Sequence, residues 1–311
     1  MKIIITGGGG FIGSHLSELL YKNHELVILS RLEHLENLSS ISSQITFEKC
    51  DVVDTTTLGQ MIEKHMPDLI IHLAGETSHS KSFENPLYDL DVNAKSTLFI
   101  LEKIRTLNLK CRFMLGSTFI VIGKPESLPV NEDTKCNPTT IYGNHRLTSE
   151  NYCKIYSNVF DLDTVIFRIT NSYGPREKTD PKKNAINFLI NEASQGNDVT
   201  IFNEGNYFRD LIYVKDVVDG IFTLIKKGKS GELYWISSFE KTWFKDFGKI
   251  LKSLTNANVT YVESPNYTKK VDVGNFVVDN TKLQKLGWTP KFSLKSGIKE
   301  TLNYLNSSKS L

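Results

Sequence analysis

Short runs of apolar, largely β-branched residues punctuate the first half of the chain, and the stretches between them carry apolar positions at helical spacing. Ile3, Ile4 and Ile5 form the first run, which ends abruptly at Thr6 and four glycines. Phe11, Ile12, Leu16, Leu19 and Leu20 then follow at helical spacing, so the order is strand, glycine turn, helix. Further strands are predicted at 26–29, 45–50, 69–73, 113–115 and 164–169, with helices around 58–65, 85–107 and 140–156 between them. Pro67 stops the first of these helices. Asn85 is placed to cap the second, and Pro86 suits its first position, where no amide hydrogen is needed. This alternation predicts an α/β fold, a Rossmann-type doubly wound parallel sheet with helices on both faces. Ligands of such sheets bind at the carboxyl ends of the strands.

After Asn171 the rhythm breaks. Pro175, Pro181 and a charged loop holding Lys178, Lys182 and Lys183 interrupt it, and the apolar runs at 199–202, 259–262 and 276–278 read as isolated strands. The helical stretch 214–227 and the run 233–236 still read as part of the sheet. The expected division is a dinucleotide-binding domain over 1–170 plus about 212–238, and a smaller, discontinuous C-terminal substrate-binding domain over about 171–211 plus 239–311.

The glycine turn carries the first chemical signal. Gly7 permits the tight turn, Gly10 lets backbone approach a pyrophosphate, and Gly13 allows the helix to pack closely on the strand. The helix N-terminus then faces the negative charge. Composition narrows the setting without changing this picture. The 311 residues are 40% hydrophobic and 23% charged, as in a globular protein with a sizeable core. With 37 basic and 35 acidic residues there is no electrostatic case for nucleic acid or an anionic membrane. Four dispersed cysteines form no CxxC pair, which argues against a metal site or disulfide framework and for reduced thiols in the cytoplasm. No apolar run approaches the roughly 20 residues of a membrane helix, and the chain enters its first strand without a signal-peptide pattern.

A hydride-transfer site is legible further on. Thr118 lies at the end of the fifth strand, and Tyr142 and Arg146 stand four apart on one helix face. A phenol starts near pKa 10 and needs a fixed positive charge beside it to act as a base at neutral pH. Arg146 and an oxidised nicotinamide supply such charge, and the Thr118 hydroxyl holds the substrate oxygen in register.

These residues resemble those of a known family, the extended short-chain dehydrogenase/reductases that act on nucleotide sugars, and the resemblance runs nearly end to end. TGGGGFIG resembles the TGxxGxxG cofactor turn, which brings in Phe11 and Ile12 beside the glycines. CDVVD resembles the segment that holds the adenine, so Asp51 and Val52 are implied cofactor contacts. Leu73, Ala74 and Gly75 resemble the strand-four signature, and Asn93 matches the asparagine of the long helix. RITNSYGPR places Asn171 against the sugar nucleotide, and FRDLIYVKDV places Arg209 on its diphosphate. LGWTP at 286–290 resembles the C-terminal LGWxP. Thr77, with His79 and Lys81 in the polar stretch 75–82, is a candidate sugar contact, with a solvated loop as the alternative. The resemblance also implies a homodimer built from the helices near 85–107 and 140–158.

Three departures narrow the reading. The family's motif is YxxxK, and Arg146 stands where the lysine belongs; arginine keeps the charge but does not readily release a proton. His145 is the nearest other proton carrier by sequence, but consecutive helix residues point apart. The family's 4,6-dehydratases carry Asp-Glu directly after the threonine, where this chain has Phe119 and Ile120, which argues against elimination. Strand two ends at Ser30 and Arg31 where NAD users carry an acid, which favours NADP, with NAD as the alternative. The expectation is therefore a reductase of a 4-keto sugar in a nucleotide-diphosphate hexose, the first alternative being a 4-epimerase with retained NAD. A non-catalytic dinucleotide-binding protein is the alternative from another class.

Overall fold

The computed structural model describes residues 1–31, 36–180, 185–263 and 272–307; Pro181, Lys182 and Lys183 lie outside the described residues. In chain order the first half holds β1 (Lys2–Thr6), α1 (Phe11–Leu20), β2 (Glu25–Ser30), β3 (Thr46–Lys49), α2 (Thr55–His65), β4 (Leu69–His72) and α3 (His79–Glu84). A long helical stretch follows as α4 (Pro86–Leu90), a π turn (Asp91–Lys95) and α5 (Ser96–Thr106), then β5 (Arg112–Thr118), α6 (Ile141–Phe160) and β6 (Thr164–Ile169). The second half holds β7 (Asn171–Tyr173), α7 (Ala185–Ser194), β8 (Val199–Phe202), β9 (Phe208–Arg209), β10 (Leu211–Tyr213), α8 (Val214–Lys227) and β11 (Leu233–Ile236). It ends with β12 (Thr242–Trp243), α9 (Phe244–Leu254), β13 (Val259–Val262), α10 (Thr281–Gln284) and α11 (Leu294–Ser307).

Seven strands make the central sheet in the order β11-β6-β5-β4-β1-β2-β3, with every pairing parallel. Ile3, Ile4 and Ile5 are all fully buried, because helices cover both faces of the sheet. Alternate residues serve opposite faces. Ile3, Ile5 and Ile71 join the core under α1 and α8, while Ile4, Ile70 and Leu115 join the one under the long helices. Strand order reverses between β1 and β4, so the carboxyl ends of these two strands border the crevice where such sheets bind ligands.

The predicted long helix forms with its expected cap, the Asn85 side chain accepting from the Tyr88 amide with Pro86 next in line. Its one irregularity is the π turn that carries Asn93, a distortion commonly found at functional positions. The stretch 214–227 and the run 233–236 join the main sheet as α8 and the edge strand β11.

Three expectations need correction. The runs at 199–202 and 259–262 are not isolated, since β8 and β13 pair in parallel with each other. The run at 276–278 is not a strand: Val278 makes a single bridge to Val130, and its amide is taken by the buried Asp210 carboxylate, which interrupts any ladder. The polar stretch 75–82 is not loop throughout, because Ser78 caps α3 by accepting from the Lys81 amide. Short pairs β7–β10 and β9–β12, unforeseen in the apolar pattern, tie the segments after β6 together. Among the described residues no helix is long and apolar enough to cross a membrane.

Candidate active site

The turn after β1 is built for close approach. Gly7 takes a positive φ of 70°, and a Cβ there would lie 2.9 Å from the Ala74 amide nitrogen. A Cβ on Gly13 would run into the Gly7 carbonyl oxygen and reach 2.7 Å from the Gly8 Cα. Gly10 is exposed and is the N-cap of α1, so no side chain covers the amides at that helix start. Phe11 and Ile12 are partly buried against the core.

Behind the turn, the Thr6 hydroxyl accepts from the Ala74 amide at 3.2 Å and meets His72 Nδ1 at 2.7 Å. Ser96 spends its hydrogen on the Val92 carbonyl, so its oxygen accepts from His72 Nε2 at 3.1 Å. The network therefore assigns the Nε2–H tautomer, with Nδ1 accepting from Thr6. Full burial, and secondarily the Arg146 charge, push His72 down to about 3, so it is neutral.

Thr118 closes β5, where its hydroxyl accepts from the Ile120 amide at 3.3 Å. Tyr142 and Arg146 lie on the buried face of α6, whose start is capped by the Thr140 hydroxyl. Arg146 Nη2 donates to the Ala74 carbonyl at 3.4 Å, and its Nε and Nη1 are buried without a partner. Asn93 Nδ2 donates to the Glu76 carbonyl and to Asp89, each at 3.0 Å, while Asn93 Oδ1 is also buried and unpaired. A Cβ on Gly75 would strike the Arg146 guanidinium and lie 2.8 Å from Asn93 Oδ1. Unpaired donors and an unpaired acceptor thus converge at the carboxyl end of β4, beside the glycine turn. Buried polar atoms of this kind require partners, and vicinal hydroxyls of a dinucleotide ribose, which donate and accept, fit them.

Two contacts here escaped the sequence. The His79 ring meets the Tyr142 ring edge-on, 5.5 Å between centroids and 86° between planes. The buried Asp89 carboxylate bonds His145 Nδ1 at 2.7 Å as well as Asn93. The spacing of Asp89 and Asn93, four apart on a helix, was a readable signal; the approach of α3 to α6 was not. The His145 ring is engaged by Asp89.

The remaining predicted residues are dispersed around this centre. Asp51 bonds the Val53 amide and Val52 is buried, beyond the end of β3. Leu73 is partly buried and donates its amide to the Thr6 carbonyl. Ser30 ends β2, and the exposed Arg31 does not stand free there: Nη1 donates to the Tyr88 hydroxyl at 2.7 Å. Thr77 is exposed between β4 and α3. Asn171 begins β7, held to the Asp210 carbonyl. Arg209 is likewise already engaged, paired with Asp272 at 2.5 Å and stacked over Tyr207 at 5.0 Å. Phe119 packs on Phe276 and Ile120 is buried, so neither presents a carboxylate next to Thr118. Glu150 accepts from Ser117, the residue before Thr118, but is fully buried in an ion pair with Arg168 at 2.6 Å.

Residues 4–301 match the family model described as GDP-mannose 4,6 dehydratase. A relative named putative UDP-glucose 4-epimerase, from Methanocaldococcus jannaschii, is 30% identical over 97% of this chain and 98% of its own length. Relatives at 28% identity include a dTDP-glucose 4,6-dehydratase of Shigella flexneri, aligned over 98% of this chain and 92% of its own. Among solved structures, the UDP-glucose 4-epimerase of Thermotoga maritima with UDP-glucose superposes with a TM-score of 0.91 at 28% identity, covering 99% of this chain and all of that one. The UDP-glucuronic acid 4-epimerase of Bacillus cereus, in complex with UDP-glucuronic acid and NAD, gives 0.87 at 27% identity with the same coverage.

Proposed function

This chain belongs to the extended short-chain dehydrogenase/reductase family of nucleotide-sugar epimerases and dehydratases, and on that premise we propose that it inverts C4 of a nucleotide-diphosphate hexose with a retained NAD. The observation that carries the reading is Arg146. A reductase consumes a proton in every turnover and needs a group that passes protons inward. An epimerase returns at the end the proton it took at the start. A buried guanidinium that stays charged serves the second task and not the first.

In this reading Gly7, Gly10, Gly13, Asp51, Val52, Asn93 and Arg146 hold the dinucleotide, which supplies a two-electron acceptor and donor at the sugar carbon. Thr118 holds the C4 oxygen in register. Tyr142 takes the hydroxyl proton and later gives it back, and the fixed charge of Arg146 steadies the phenolate in between. Asn171 and Arg209 meet the sugar nucleotide from the segments 171–211 and 239–311, the proposed substrate portion. Arg209 exchanges its half-exposed partner Asp272 for the diphosphate. Elimination has no place here, because Phe119 and Ile120 offer neither acid nor base, although the family model and several relatives carry dehydratase names. Exposed Leu87, Leu90, Ile155 and Val159 on the two long helices support a homodimer formed across them.

A second reading, a 4-keto reductase using NADPH, rests on Ser30 and Arg31 at the end of β2, where a 2′-phosphate would find a hydroxyl and a guanidinium. Cofactor identity separates the two. Purified protein is denatured, the released nucleotide is identified, and the emptied protein is titrated with NADH and NADPH. Stoichiometric NAD is the expected result. An empty site that prefers NADPH would replace the epimerase by the reductase, and failure to bind either would overturn both.

A further inference from the structure

Asn171 and Arg209 lie on two short strands, β7 and β9, neither of which belongs to the main sheet. What joins them is Asp210. Its backbone carbonyl accepts from the Asn171 amide at 3.2 Å and from Asn171 Nδ2 at 3.5 Å. Its side chain, fully buried, accepts five hydrogen bonds from three separate segments. The hydroxyl of Thr170, the residue before Asn171, donates to Oδ1 at 3.2 Å. The Ser238 amide and hydroxyl reach the same oxygen at 2.8 and 2.9 Å. The Phe239 and Val278 amides donate to Oδ2 at 3.2 and 3.1 Å.

These bonds set both flanks of Arg209. The loop 238–241 leads into β12, where Thr242 pairs with Arg209. Within that loop Phe239 takes a φ of 64°, a left-handed backbone that a phenylalanine keeps only where surrounding bonds impose it. On the other flank, the Val278 bond anchors the segment that brings Asp272 to Arg209, and the Phe276 amide of that segment donates to the Phe208 carbonyl at 3.3 Å. All five donors to the carboxylate are neutral. Burial pushes the Asp210 carboxyl up to about 6 and the donors oppose that shift, so it is ionised at neutral pH. A carboxamide in its place offers a single acceptor oxygen and turns an NH2 group toward donors, so only the carboxylate serves all five.

We propose that Asp210 is the positioning residue of the sugar-nucleotide site: its carboxylate holds Arg209 at a fixed spacing from Asn171, so that a nucleoside diphosphate meets a guanidinium already in place. This rests on the reading of Arg209 as the diphosphate contact. Asp210, with no exposed surface, acts only through its neighbours. A charge set in advance loses less side-chain freedom on binding than one that must be ordered by the ligand.

The test is a double-mutant cycle, read by calorimetric titration of the NAD-loaded protein with UDP and with dTDP. Asp210→Asn is expected to weaken nucleotide binding by about tenfold, while the NAD content per chain stays as in wild type. Arg209→Met also weakens binding, and the double variant is expected to bind about as tightly as Arg209→Met alone, because Asp210 acts through that guanidinium. In a turnover assay the loss from Asp210→Asn falls on KM for the sugar nucleotide rather than on kcat. Unchanged affinity in Asp210→Asn, or losses that multiply in full in the double variant, would overturn the proposal and leave Asp210 a stabilising residue only. If Asp210→Asn does not fold, Ser238→Ala, which removes one donor and keeps the amide, replaces it in the cycle; its expected loss is about threefold and must likewise vanish in the Arg209→Met background. Wild type that binds neither UDP nor dTDP refutes the nucleotide-sugar reading and this proposal with it. Wild type that binds, with losses that multiply, keeps that reading and overturns only the role of Asp210.

Discussion

His72 offers the sharpest test of how the glycine turn is held. The folded chain keeps this imidazole neutral and down to about 3, against an ordinary value of 6.5. The unfolded chain protonates it near 6.5. Its contribution to stability is therefore complete above that pH and is lost as pH falls through the window between the two values. By about pH 4.5 the loss amounts to roughly 3 kcal/mol, a large fraction of the 5–15 kcal/mol typical of a folded domain. Urea midpoints measured from pH 7.5 down to about 4.5 in wild type and His72→Gln give the difference directly, because His15, His24 and the carboxylates titrate in both proteins. Wild type should lose stability more steeply than the variant below pH 6.5, and cofactor should be released over the same span, since His72 holds the Thr6 hydroxyl that fixes the Ala74 amide. Parallel pH dependence in the two proteins would refute a neutral, buried His72.

Gly13→Ala forces a methyl onto backbone of the turn and should cost about 3 kcal/mol or more, with loss of bound cofactor. Gly196→Ala, with φ of 74° and open space around it, should cost only about 1 kcal/mol. Equal shifts in melting temperature for the two would remove the case for a close-packed cradle. Glu150→Gln leaves the Arg168 charge uncompensated in a fully buried site and should lower stability by about 3 kcal/mol in urea titrations at unchanged m-value; a change near zero would mean that water reaches the pair. Tyr142→Phe should abolish turnover while retaining bound dinucleotide, as read by nucleotide release after denaturation. Arg146→Met should lower turnover by about a hundredfold or more, and near-normal kcat in that variant would strip Arg146 of its electrostatic role.

Local chemistry is legible in the sequence. The strand–turn–helix at 3–20, the cap at Asn85 and Pro86, and the shared face of Tyr142 and Arg146 are properties of neighbouring residues, and backbone sterics and helical spacing are enough to read them. The alternation of buried runs with helical stretches likewise determined a parallel sheet, because only strands covered on both faces lack a polar side. What depended on the approach of distant segments was decided by the tertiary structure. The runs at 199–202 and 259–262 became a pair because each found the other's edge across 60 residues. Phe276–Val278, equally apolar, found the Asp210 carboxylate instead and formed no strand. Arg31 and Arg209, written in the sequence as unengaged cations, acquired Tyr88 and Asp272 as partners. His79 was one polar residue among several in its stretch until α3 packed on α6 and set its ring against Tyr142. Sequence spacing carries the geometry of a single turn of chain; contact between separate elements is set by how the whole core closes, and the residues that surround Tyr142 were selected at that level.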